Sequence, residues 1–218
     1  MLNLCFPTQG TTDVSEIPGG VLVRRGNGDE EHCQRWVAVQ GEQGGLALLN
    51  DGKYSYSAPD GELRMTIANT SVFADHYGQG YRDETCRYMD MGEQRFTCIL
   101  VPYAGSWKQA GLNRRAALLN RSLHAVAETY HEGPLAGEFT GVALNCDHVD
   151  VLALKPAEDG KGCILRLGEN IGEKAHLCID LPLLSRKIET DIGAWEIKTL
   201  YLPGEAEQPA KEVLLTEE

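Results

Sequence analysis

The segment from Trp36 to Tyr103 reads as successive β-hairpins, and it constrains the fold more than any other part of the chain. Strand-like runs such as Trp36-Val37-Ala38-Val39-Gln40 and Leu46-Ala47-Leu48-Leu49-Asn50 are separated by glycine-rich breaks. Asp51-Gly52 and Asp60-Gly61, nine residues apart, match the preferred two-residue hairpin turn, in which both central residues need positive φ. Leu63, Met65 and Ile67 alternate with Arg64 and Thr66, the period-two pattern of a half-buried strand. Phe96, Cys98 and Leu100 alternate in the same way with Arg95 and Thr97. An antiparallel sheet follows from that spacing.

The flanking segments extend the pattern. Val21-Leu22-Val23 is a short strand, and Asn27 to Glu31 a polar loop. Trp107 to about Leu119 is the one good helical stretch, with Trp107, Ala110, Gly111, Arg114, Ala117 and Leu118 suggesting an apolar stripe. Ala125 to Tyr130 is expected to be coil or strand. From Phe139 the β pattern resumes. Val149, Val151 and Ala153 face one way and Leu152 and Leu154 the other, as in a strand buried on both sides. Asp159-Gly160 leads into a strand over Cys163 to Leu167, and His176–Leu181 and Trp195–Leu202 close the sheet. Residues 203–218 are expected to form a weak final strand and a frayed tail.

With 218 residues the chain can bury a substantial core as one large β domain or two small ones, and one β-sandwich domain spanning 1–218 is expected. The formal charge of −12 argues against nucleic acid or anionic membrane as partners, because neutralising phosphates needs clustered Lys and Arg. No apolar run reaches the length of a membrane span. The opening Met1-Leu2-Asn3-Leu4-Cys5-Phe6-Pro7 lacks the basic start of a signal peptide. Seven cysteines with no framework spacing point to reduced thiols, and so to a cytoplasmic protein. Several of them occupy alternating apolar positions, where a thiol acts as a small hydrophobe.

Several blocks resemble the C-terminal β region of the α-mannosidases of glycoside hydrolase family 38. They are Gln34-Arg35-Trp36-Val37, Gly45 to Tyr54, Val72-Phe73-Ala74-Asp75-His76, Tyr88 to Phe96, Ala117-Leu118-Leu119-Asn120, Ala153 to Gly160 and Leu165-Arg166-Leu167, in the family's order. Two residues depart from the family pattern: Asn69 stands where Arg is usual, and Met91 where Gln is usual. The resemblance implies a large antiparallel sandwich, a supersandwich of the galactose-mutarotase-like kind, with one short helix near 107–119. It further implies a fragment that starts in mid-domain, is not catalytic by itself, packs on an N-terminal catalytic domain and frames the pocket for a mannose-containing glycan. That missing domain would hold the zinc of a retaining mannosidase; no cofactor is expected on this chain. A homo-oligomer is compatible with this reading, and a free-standing carbohydrate-binding β-sandwich is the alternative.

Candidate site residues follow from side-chain chemistry. Asp75, His76, Tyr77 and Tyr81 lie in a long polar, aromatic loop, Phe73 to Asp90, and have the character of a sugar-pocket edge. Asp83, Glu84, Asp90 and Glu93 cluster in sequence, but acidic residues in polar loops are usually just solvated. His148-Val149-Asp150 contains the family's His-x-Asp metal motif, yet its continuation matches a C-terminal strand. Cys146 with His148, and His176 with Cys178, are each two apart; on neighbouring strands the four would make a tetrahedral zinc site. Core thiols and edge imidazoles are the simpler reading. No nucleophile elbow or phosphate loop occurs.

Overall fold

The structure, a computed structural model, describes residues 2–8, 12–71, 88, 90–121, 123–129, 132–134 and 136–217. The described residues form antiparallel sheets with a single α-helix, the all-β architecture that the sequence patterning predicts. Contacts group the chain into two compact units, Met1–Ser122 and Leu123–Glu218.

The first unit begins with β1 (Leu2–Pro7), β2 (Thr12–Ile17), β3 (Gly20–Arg25), β4 (Glu30–His32) and β5 (Trp36–Gln40). It continues with β6 (Gly44–Asn50), β7 (Ser55–Ser57), β8 (Glu62–Ala68) and β9 (Cys98–Ala104). They assemble as a four-stranded sheet, β1-β8-β7-β4, and a five-stranded sheet, β3-β2-β5-β6-β9. Val37, Val39 and Leu48 of the second sheet meet Tyr56, Leu63 and Met65 of the first in one buried cluster. This is a sandwich core, and strand alternation supplies it: every second residue of β5 and β8 faces the partner sheet.

The other face of β5 and β6 is also buried, at Trp36, Ala38, Ala47 and Leu49. A 3₁₀ turn (Trp107–Ala110) and the helix α1 (Leu112–Asn120) cover it. Trp107 packs on Trp36 with ring centroids 5.9 Å apart, and the Trp36 indole N–H donates to Asn113 Oδ1 at 2.8 Å. The predicted apolar stripe is out of phase. The buried helix residues are Leu112, Asn113 and Ala116, while Leu118 is exposed. Gly111, at φ 62°, breaks the 3₁₀ turn from the helix and resets the rotation between them.

The two Asp-Gly turns differ from the expectation. Asp60-Gly61 does close the β7–β8 hairpin, with the Glu62 N–H donating to the Pro59 carbonyl at 3.0 Å. Only Gly61 takes a positive φ, 77°, so the turn is not type I′. Asp51-Gly52 closes no hairpin: β6 pairs with β5 and β9, and β7 with β8 and β4. It carries the chain from one sheet to the other, because Leu48 before it and Tyr56 after it belong to the same inter-sheet core.

In the second unit, β10 (Ala143–Leu144), β13 (Ala175–Leu181) and β14 (Arg186–Ile192) form one sheet. The other contains β11 (Val149–Pro156), β12 (Gly162–Glu169), β15 (Ile197–Pro203) and β16 (Lys211–Val213). Leu165, Leu167, Leu177, Ile179, Leu181 and Leu202 form its core. β11 is not buried on both sides as its composition suggests. Its register with β12 shifts between Val151 and Ala153, and this bulge leaves Leu152 exposed. The extra residue inverts the alternation, so Val149, Val151 and Leu154 all reach the core. Trp195 precedes β15 instead of starting it, in a tight turn at φ 59°. Beyond β16 the described end is held where fraying was expected. Lys155 pairs with Glu217, and the Arg166 guanidinium donates to the Leu215 carbonyl at 2.9 Å.

Candidate functional site

Three of the sequence blocks singled out above converge on one buried side chain, Asn50, at the end of β6. Its Oδ1 accepts from the N–H groups of Gly52 (3.0 Å) and Lys53 (2.7 Å), and its Nδ2 donates to the Gln34 carbonyl at 3.0 Å. Its own N–H donates to the Arg35 carbonyl at 2.8 Å, and its carbonyl accepts from Asn120 Nδ2 at 2.9 Å. Every polar group of Asn50 is thereby paired, as a residue only 1% exposed requires. The loop before β5, the turn after β6 and the end of the helix are thus tied at one point.

A cleft of about 490 Å³ opens over this junction, walled by His32, Gln34, Arg35, Tyr54 and Asn120 with Cys33 at its base. Buried Glu16 fixes the Arg35 side. Its carboxylate accepts from the Arg35 backbone N–H at 2.9 Å and from the guanidinium through Nε at 3.0 Å and through NH2. The Gln34 N–H donates to the Glu16 carbonyl at 2.8 Å. Opposite, the Tyr54 carbonyl accepts from the Cys33 N–H at 3.0 Å, and the Tyr54 side chain stands out into solvent.

The chemistry available there is that of a binding wall. Burial, reinforced by the negative charge of Glu16, pushes the Cys33 thiol up to about 12, so at neutral pH it is protonated and a poor nucleophile. Glu16, engaged on both oxygens by Arg35, is no free acid or base. Exposed His32 and Tyr54 are the groups a ligand would meet first. Sequence reading does not single out Glu16, which sits in no motif with a chemical signature, and it brings in Asn50 only as part of the block Gly45 to Tyr54, with no role of its own.

The sugar-edge candidates Asp75, His76, Tyr77 and Tyr81, with Asp83 and Glu84, lie outside the described residues. Of their neighbours, Asp90 accepts from the Asn69 N–H at 2.9 Å, Glu93 pairs with Arg95 at 2.7 Å, and Met91 is exposed. Cys146 Sγ lies 3.3 Å from His148 Nδ1. His176, on the exposed face of β13 beside Cys178, instead binds Asp191 at 2.7 Å. Cys146 packs toward the core of the second unit, so the four residues face different ways. Asp150, the partner of His148 in His-x-Asp, accepts from Asn170 at 3.0 Å. Among the described residues no three His, Cys, Asp or Glu side chains gather where they could hold a metal. No helix there is long and apolar enough to cross a membrane.

By fold and site this is a β-sandwich protein with a polar cleft set at the junction of its turns and helix. Residues 3–77 match the glycosyl hydrolases family 38 C-terminal domain, and the chain is similar to α-mannosidases. Alpha-mannosidase G of Dictyostelium discoideum is 28% identical over 144 residues, which make up 63% of this chain and 12% of that protein. Alpha-mannosidase 2C1 of Homo sapiens is 27% identical over 157 residues, 71% of this chain and 14% of that protein. The crystal structure of an α-mannosidase from Enterococcus faecalis V583 superposes with a TM-score of 0.73 at 15% identity, over 92% of this chain and 25% of that one. The chain therefore spans a small part of the length of the relatives it matches.

Proposed function

We propose that this chain acts as the C-terminal β region of a zinc-dependent, retaining α-mannosidase that cleaves mannose-containing glycans. Its part is to frame the substrate pocket and to pack on an N-terminal catalytic domain. The observation that carries the reading is the match to α-mannosidases across both compact units, at 63% and 71% of the chain. The zinc ligands and the two carboxylates that retention requires are assigned to residues outside these 218, since the cleft here offers a locked carboxylate and a neutral thiol. The six described cysteines are all unpaired, which supports a reducing, cytoplasmic setting.

The test is turnover of 4-nitrophenyl α-mannoside. The purified chain is expected to show none. The same chain joined to an upstream coding segment that carries the family's metal motif is expected to be active and to lose that activity on chelation. Chelator-resistant turnover by the chain alone, abolished by a point substitution within it, would overturn the assignment.

A further inference from the structure

We propose that Trp195, in the second unit, is a stacking platform for a pyranose ring of a glycan. The inference rests on the reading above for its choice of ligand class and on local construction for its location.

Trp195 adopts φ 59°, a left-handed conformation that bulky L-residues rarely take. Strain of this kind persists where surrounding groups over-determine it, and such positions cluster at ligand-holding sites. The group responsible here is Glu169, at the end of β12 and 3% exposed. Its carboxylate accepts from the Trp195 N–H at 2.7 Å, and from the N–H groups of Ile171 at 2.8 Å and Gly172 at 2.9 Å. One buried anion thus clasps two loops together. The clasp presses the indole against Gly172, itself at φ 79°. A Cβ on that residue would come within 2.7 Å of Nε1, Cε2 and Cζ2 of the Trp195 ring, so only glycine permits the contact. The ring is supported on that side, and Trp195 is still 42% exposed.

A fixed aromatic surface open to water is what the C–H face of a sugar stacks on, while hydroxyls need polar groups at its rim. The loop after the supporting glycine carries such groups: exposed Glu173 and Lys174 follow Gly172. A hydrophobic core contact would not leave this indole open, and a net charge of −12 favours a neutral ligand over an anionic one.

The test is titration of the full 218-residue chain with linear α-mannotetraose and, separately, cellotetraose, followed by the indole N–H resonances in ¹H–¹⁵N NMR. Trp36 and Trp107 are buried, and Trp195→Phe identifies the third resonance by its loss. We expect saturable movement of the Trp195 signal with a dissociation constant of about 1 mM. Trp195→Ala should weaken binding at least about tenfold, read on neighbouring amides, while Trp195→Phe keeps most of it. Binding of cellotetraose alone through Trp195 would uphold the platform and count against the mannoside assignment. No movement with either sugar up to about 10 mM would overturn the platform and leave that assignment standing. A change in self-association on Trp195→Ala, without sugar binding by the wild type, would also overturn it.

Discussion

The side-chain amide of Asn120, at the last turn of the helix, donates to the backbone carbonyl of Asn50 at 2.9 Å. It also donates to the Ala116 carbonyl at 2.9 Å, so one exposed amide both closes the helix and anchors it to the end of β6. Residues 70 positions apart in sequence are joined where the cleft begins.

Removing either asparagine separates these roles. Asn50→Ala removes the side-chain partner of the Gln34 carbonyl and of the Gly52 and Lys53 N–H groups together, and is expected to cost about 3 kcal/mol. Asn120→Ala removes a donor at a solvent-facing helix end, and about 1 kcal/mol is expected. Urea unfolding midpoints measure both. Equal costs would show that Asn50 is not the junction described here.

Arg35→Ala is expected to destabilise by about 2–4 kcal/mol, because it leaves the buried Glu16 carboxylate without its guanidinium. The double variant Glu16→Gln with Arg35→Ala should recover part of that loss, since no buried charge remains. Chemical denaturation of the four-member cycle reads the coupling; full additivity would contradict a working pair.

The Cys33 thiol ionises near 9.0 when free and at about 12 in the fold, because burial disfavours the thiolate. A raised folded value means the contribution to stability is complete below pH 9.0 and is lost as pH rises toward 12. Cys33→Ala should flatten the fall in unfolding free energy across that window. At pH 8, alkylation mapped by mass spectrometry should label exposed Cys5 and Cys178 well before Cys33. Rapid labelling of Cys33 would mean that the base of the cleft opens.

His176 lies on the exposed face of β13, and its hydrogen bond to Asp191 holds its pKa above the usual imidazole value. The attendant stabilisation is therefore full below the ordinary His range, about 6.5, and fades as pH climbs through the raised folded value. An NMR titration should show the His176 midpoint falling on Asp191→Asn. An unchanged midpoint would assign the interaction to solvent.

Much of this architecture is legible in the chain itself. The alternation of Leu63, Met65 and Ile67 places a strand correctly, and Asp60-Gly61 marks a real hairpin. Trp107 to Leu119 is helical apart from the break at Gly111. These signals are local: side-chain period and the conformational demands of glycine act over a few residues and so show in the sequence. Gln34-Arg35, Asn50 to Lys53 and Asn120, which lie in three separate sequence blocks, satisfy one another's polar groups.

Other features were decided only when distant segments met. Asp51-Gly52 has the composition of a hairpin turn and is instead a step between sheets, because pairing is set by which faces share a core. Leu152 reads as one side of an alternating strand and becomes a bulge in register with β12. Trp195 reads as a strand residue until Glu169, 26 positions away, captures its N–H and turns it outward. Periodicity along the chain determined where strands and turns could form. The burial of faces and charges between segments decided how they were joined, since that free energy exists only after the chain has closed on itself.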